Sequence, residues 1–209
     1  MDETILIVDD STFIVDGLVA ILKRKGFKPI PAHGGDECLD ILKTVIPDLI
    51  LLDIMMEPMD GWETLDHLKK NPETKNIPVL MFSAKKISFE EAQEHRMNIE
   101  DFVSKPVNPT QLMESIQRIF DRRSDVKIEA LVAHDAGLDE ATVKEYSTLR
   151  TSIEVDKNLI VVLKNACGMN TPCVEVRGED IAAIRSIEER IKINELRLKE
   201  INDLFAKTS

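Results

Sequence analysis

Over the first 120 residues, short runs of consecutive apolar residues alternate with stretches in which apolar positions recur every three or four residues. The runs are Thr4-Ile5-Leu6-Ile7-Val8, Leu49-Ile50-Leu51-Leu52, Val79-Leu80-Met81-Phe82 and Phe102-Val103, with a weaker one at Lys28-Pro29-Ile30-Pro31-Ala32. Unbroken apolar runs of this length predict strands buried on both faces. The intervening spacing predicts helices near residues 12–25, 35–45, 61–71, 88–97 and 109–133. Strands alternating with helices predict an α/β domain, a parallel sheet with helices on both faces.

Five such repeats fit a flavodoxin-like, doubly wound five-stranded sheet over residues 1–120, a fold whose ligands bind at the carboxyl ends of the strands. The last helix has a defined start: Asn108-Pro109-Thr110-Gln111 supplies a cap residue, a proline at the first helical position and a glutamine three residues after the cap. Its periodicity continues past Phe120 to Val132, either as one helix or with a break near 121–125, and Gly137 is a plausible stop.

Residues 121–209 then carry two long helical patterns. One places Val143, Tyr146, Leu149, Ile153, Asp156, Ile160 and Leu163 at alternating spacings of three and four. The other places Ile184, Ile187, Ile191, Asn194, Leu198, Ile201 and Phe205 in the same way. That spacing predicts a coiled-coil-like antiparallel hairpin, interrupted between Gly168 and Gly178. Two helices alone bury little, so a second copy is expected to complete a bundle. The polar seam positions Asp156 and Asn194 are read either as register-setting groups or as solvent-facing residues.

The charge balance narrows the functions. The chain of 209 residues has a formal net charge of -11, and neither half is basic, so a general nucleic-acid backbone binder is not supported. Hydrophobic residues at 43% and charged residues at 31% are ordinary for a soluble globular protein. No apolar run approaches the roughly 18 residues of a membrane span, and no secretory signal opens the chain. Cys38, Cys167 and Cys173 do not make a disulfide framework, and a metal reading of the last two would need ligands that are not visible. Together these features favour the cytoplasm.

The predicted strands bring Asp9 and Asp10, Asp53, Ser83 and Lys105 to one sheet edge. Three carboxylates at one place repel each other and stay ionised together only around a cation, and hard oxygen ligands in that number suit Mg2+. The segments ILIVDDS, LLDIMMEPMDGWE, VLMFSAK and DFVSKPV resemble the receiver domain of two-component response regulators, over residues 4–120. The resemblance implies that Asp53 accepts a phosphoryl group from a sensor histidine kinase. It implies that Asp10 ligates Mg2+ directly and Asp9 largely through water, with Asp53 and the backbone carbonyl of Met55 completing the protein ligands. Ser83 resembles the hydroxyl that bonds the phosphoryl group, and Lys105 the paired cation. Phe102 resembles the aromatic switch that turns inward after transfer, and Lys105-Pro106 the cis peptide. Such a domain catalyses only its own phosphorylation and dephosphorylation.

One departure from the pattern is Glu57 in the place usually held by proline, with Pro58 one residue later. Glu57 is expected near the rim of the metal site. Met55 and Lys85 hold the positions at which the family tunes hydrolysis, and apolar Met55 predicts a slow loss of phosphate. Asp60 and Gly61 fit a turn and helix start rather than ligands. His33, His67, His95 and His134 show no pairing pattern.

For residues 121–209 the first expectation is a dimerisation and partner-binding region, with homodimerisation through these helices, the receiver or both. This segment resembles, weakly, the helical appendages of some archaeal receivers. The alternative is a phosphorylation-controlled transcription regulator with an atypical DNA-binding region. An enzymatic output lacks clustered catalytic residue types.

Overall fold

A computed structural model describes residues 2–83, 95, 98–135, 139–166 and 178–208. They fall into two compact units, one built from residues 1–86 and 98–113, the other chiefly from 114–209.

The first unit is a five-stranded parallel sheet. Its strands are β1 (Thr4–Val8), β2 (Lys28–Ala32), β3 (Leu49–Asp53), β4 (Val79–Ser83) and β5 (Asp101–Ser104). They lie in the order β2-β1-β3-β4-β5. β3 is buried at every position, as its unbroken apolar run requires. Helices α1 (Thr12–Arg24), α2 (Gly35–Ile41) and α3 (Gly61–Lys70) accompany the first three strands. α1 buries Val15, Leu18 and Leu22, one side of an otherwise exposed helix. β2 is an edge strand paired only with β1, and its Pro29 and Pro31 stand opposite Ile5 and Ile7. An edge strand tolerates two prolines because their missing N–H groups can face outward, away from the ladder. The predicted helix over 88–97 and the residue Lys85 lie outside the described residues.

The chain leaves β1 for β2 on one side and later for β3 on the other. The order therefore reverses between β1 and β3, and a crevice opens at their carboxyl ends.

Helix α4 (Pro109–Asp135) starts where the capping pattern placed it: Asn108 Oδ1 accepts from the Thr110 N–H at 2.9 Å and from the Gln111 N–H at 3.5 Å. It runs without a break through 121–125. Gly137, the expected stop, lies outside the described residues, as do Cys167, Cys173 and the connector up to residue 177.

In the second unit α5 (Glu140–Ala166) pairs with α6 (Gly178–Thr208). The cross-helix links Lys164–Glu188, Asp156–Arg190, Ser152–Asn194 and Glu145–Arg197 run in opposite directions along the two helices, so the hairpin is antiparallel. The seam contains Ile153, Leu159, Leu163, Ile184, Ile187 and Ile201, all buried. Val155 and Ser152 are buried too, which widens the covered face of α5 beyond the predicted stripe. Beside the hairpin, α4 shares with α5 and α6 an open groove lined from all three helices.

Asp156 is wholly buried, and Arg190 grips it with two hydrogen bonds of 2.7 and 2.8 Å. It is an interior ion pair and not a solvent-facing break in the seam. Asn194 donates its amide to Ser152 Oγ at 3.4 Å. Sequence periodicity missed Arg190 and Ser152 because both are polar and fall beside the apolar stripe.

Candidate metal and phosphoryl site

Each residue of the site sits where a strand ends. Asp9 and Asp10 follow β1, Asp53 closes β3, Ser83 closes β4, and Lys105 follows β5. In a parallel sheet these ends share one edge, so residues nearly a hundred positions apart meet. The carboxylates of Asp9, Asp10 and Asp53 offer oxygens that all lie within 4.8 Å of one another. Asp9 and Asp53 are buried, while Asp10 is exposed.

Local contacts fix these groups. Asp9 Oδ1 accepts the Ser11 N–H at 2.8 Å, which holds the turn from β1 into α1. Its other oxygen accepts from Lys105 Nζ at 2.7 Å. The same ammonium pairs with Asp53 Oδ2 at 2.8 Å and lies 4.8 Å from the centre of the Phe82 ring. Lys105 thus bridges two of the three carboxylates. Among the described residues, Asp53 Oδ1 is buried with no hydrogen-bond partner. Burial pushes the Asp53 carboxyl above its ordinary value, against the pull of Lys105, and the neighbouring Asp9 charge adds to the rise.

The loop after Asp53 is shaped by Gly61, whose N–H donates to the Ile54 carbonyl at 3.0 Å. A Cβ on Gly61 would run into the Asp53 carbonyl and into Ile54 Cα. Asp60 caps α3 by accepting the Glu63 N–H at 2.8 Å. Both residues are turn and helix-start residues, as their types suggested. Glu57 is exposed, and Glu57-Pro58 is cis, as is Lys105-Pro106. Glu57 does not join the carboxylate cluster among the described residues. Met55 turns its side chain outward, 52% exposed.

Phe102 is only 5% exposed and meets the edge of Trp62 with ring centres 6.2 Å apart. Trp62 was not singled out by motif; its place one residue into α3 was the available signal. The side chain of Ser83 lies outside the described residues, although its strand register opposite Ser104 places it at the same edge.

The donor set fits a divalent cation. Three carboxylates converge, and one buried oxygen of Asp53 has no partner, which is costly unless a cation or proton meets it.

Residues 5–117 match the family model described as the response regulator receiver domain. The chain belongs to that family. The receiver is followed over residues 122–209 by a match to Metanogen output domain 2. Among curated relatives, the phosphate regulon transcriptional regulatory protein PhoB of Escherichia coli (strain K12) is 30% identical over 132 residues. That match covers 63% of this chain and 58% of the relative. This chain therefore spans under two thirds of the length of such relatives. Two solved structures similar to the receiver are each 28% identical to this chain. The CheY-like response regulator receiver domain protein from Methanospirillum hungatei JF-1 covers 60% of this chain and 98% of its own, with a TM-score of 0.55. The chemotaxis protein CheY4 of Vibrio cholerae covers 57% and 99%, with a TM-score of 0.54. No described helix is long and apolar enough to cross a membrane.

Proposed function

We propose that this response regulator accepts a phosphoryl group on Asp53 from the phosphohistidine of a sensor histidine kinase, and that the helical second unit passes the signal to a protein partner. The observation that supports this best is the buried Asp53 carboxylate, which holds Lys105 through one oxygen and leaves the other without a partner.

In the transfer, an Asp53 oxygen forms a bond to phosphorus as the phosphorus–nitrogen bond to the kinase imidazole breaks. The imidazole leaves with the electron pair. A carboxylate is a weak nucleophile, so the catalysis available here is positioning and charge neutralisation. Asp9, Asp10, Asp53 and the Met55 carbonyl would hold Mg2+, which when bound supplies positive charge to the phosphoryl oxygens. Lys105, already between Asp9 and Asp53, is in place to pair with the incoming phosphoryl group. Ser83 would donate a hydrogen bond to it. Phe102, packed on Trp62, is the switch residue of this reading. Met55, apolar and exposed, holds the position at which the family tunes hydrolysis, which favours a long-lived phosphoryl group. Beyond this self-directed chemistry the chain is not an enzyme.

Homodimerisation belongs to the same proposal: Ile193 and Leu196 are each 66% exposed on α6, on the side away from the hairpin seam. Light scattering that finds a monomer in both the resting and the phosphorylated state would remove it. A cytoplasmic location follows from the proposed chemistry with a kinase. DNA binding is not favoured: residues 121–209 carry 17 Asp+Glu against 14 Lys+Arg, with no basic surplus to meet a phosphate backbone.

The test is phosphoryl transfer. The full chain is incubated with phosphoramidate and Mg2+, and the acyl phosphate is located by borohydride trapping and mass spectrometry. Label at Asp53 that chelation abolishes is expected; label elsewhere, or none, overturns the reading.

A further inference from the structure

The second unit contains one sealed interface and one that is open. The α5–α6 seam is apolar and locked by the buried Asp156–Arg190 pair. Where α4 meets that hairpin, an open groove of about 320 Å3 remains, with Arg118, Asp121 and Asp125 exposed along it. α4 lines it with Arg118, Asp121, Arg122 and Asp125. The hairpin lines it with Arg150, Glu154 and Lys157 from α5 and Glu195 from α6. Lys157 is tied to Glu195 at 3.1 Å and to Glu154 at 3.9 Å, so the hairpin wall is itself cross-linked.

The four α4 residues occupy one helix face, at spacings of three, one and three. They form the same arginine–aspartate couple twice, four residues apart. If α4 moves along its axis by four residues, Arg122 takes the station of Arg118 and Asp125 that of Asp121. The stations vacated by Arg122 and Asp125 then receive Val126 and Glu129, so no station meets a reversed charge. The opposite movement brings Glu114 to the station of Arg118 and Gln117 to that of Asp121, a reversal and a loss. The charge pattern therefore permits two registers and one direction between them.

We propose that α4 is a two-register element, which steps by four residues along the α5–α6 hairpin when Asp53 is phosphorylated. At a rise of about 1.5 Å per residue the step is about 6 Å, the scale of known one-turn ratchets. This rests on the reading of Asp53 as phospho-acceptor. α4 is the helix suited to the task because its Asn108 cap is the third residue after Lys105. The hairpin stays fixed because moving it would strand a buried charge at Asp156.

The test uses full-length protein with Cys38, Cys167 and Cys173 replaced by alanine. Spin labels go on Ser124→Cys in α4 and Lys144→Cys in α5; a second pair, Lys144→Cys with Lys192→Cys, spans the hairpin. All three positions are exposed and outside the groove lining. Distances are measured before and after adding beryllofluoride with Mg2+, and fluorine NMR reports independently whether the probe is bound. The 124–144 distance is expected to change by about 5 Å, while the 144–192 distance holds. Asp125→Lys, which places the wrong sign at the station of Asp121, is expected to abolish the step while the probe still binds. A bound probe with an unchanged 124–144 distance overturns the proposal. So does movement of both pairs, or a step that survives in Asp125→Lys. Failure of the probe to bind overturns the phospho-acceptor reading and this one with it, and the fluorine signal tells the two failures apart.

Discussion

Asp53 and Asp156 are both carboxylates inside their units, 2% and 0% exposed, and each faces a cation. At Asp156 both oxygens are taken by one guanidinium in a two-pronged pair. At Asp53 one oxygen is taken by Lys105, which Asp9 shares, and the other has no partner among the described residues. A saturated buried pair can only hold a structure in place. An unsaturated one retains a site for new chemistry and keeps a cation that can change partners. The contrast teaches that burial alone does not mark a functional carboxylate. At Asp53 the unmet bond counts because two further carboxylates and Lys105 converge on it. Glu3 Oε2 is also buried and unmet among the described residues, without such company.

The sharpest break of this comparison is Asp53→Asn. It should abolish phosphoryl incorporation from phosphoramidate altogether while leaving the far-ultraviolet circular dichroism unchanged. Retained labelling at another residue would move the site.

Asp156→Leu should destabilise the chain by about 3 kcal/mol, because it leaves the partly buried Arg190 charge without its partner. The double variant Asp156→Leu/Arg190→Leu should recover most of that loss in urea unfolding. A single variant as stable as the parent would mean the pair is not buried in solution.

Gly61→Ala tests the loop that carries Asp53. Its methyl group meets the Asp53 carbonyl, and relieving such overpacking costs about 1–3 kcal/mol. The shift it forces should also slow phosphorylation, so that stability and labelling rate fall together.

The smallest effect is one of pH. Burial raises the Asp53 carboxyl above its ordinary value of 3.8. Between that value and the raised one, the folded chain keeps a proton that the unfolded chain has released. Stability without metal should therefore fall as pH rises through this window and then level off. Asp53→Asn should remove that fall, and Mg2+ should restore the stability of the parent at neutral pH. A parent and variant with parallel pH profiles in metal-free buffer would contradict the shift.

Much of the first unit was legible in the chain. Unbroken apolar runs located β1, β3 and β4 because a central parallel strand has no polar face to reveal. The order of motifs at strand ends is enough to bring Asp9, Asp10, Asp53, Ser83 and Lys105 to one edge. The weak run at residues 28–32 was legible as a strand only in part, since its prolines are acceptable solely at an edge. In the second unit the three–four spacing gave the hairpin, but not the fate of Asp156, which stood open between a register-setting and a solvent-facing role.

The sequence by itself determined which residues lie on a common face or edge, because periods of two and 3.6 residues are set by local backbone geometry. Only the tertiary structure decided which partner each of them meets. Lys105 bridging Asp9 and Asp53, Gly61 pressed against the Asp53 carbonyl, Arg190 closing on Asp156 and the charged groove beside α4 all depend on the register between elements far apart in the chain. That register follows from how whole faces pack, and no local period records it.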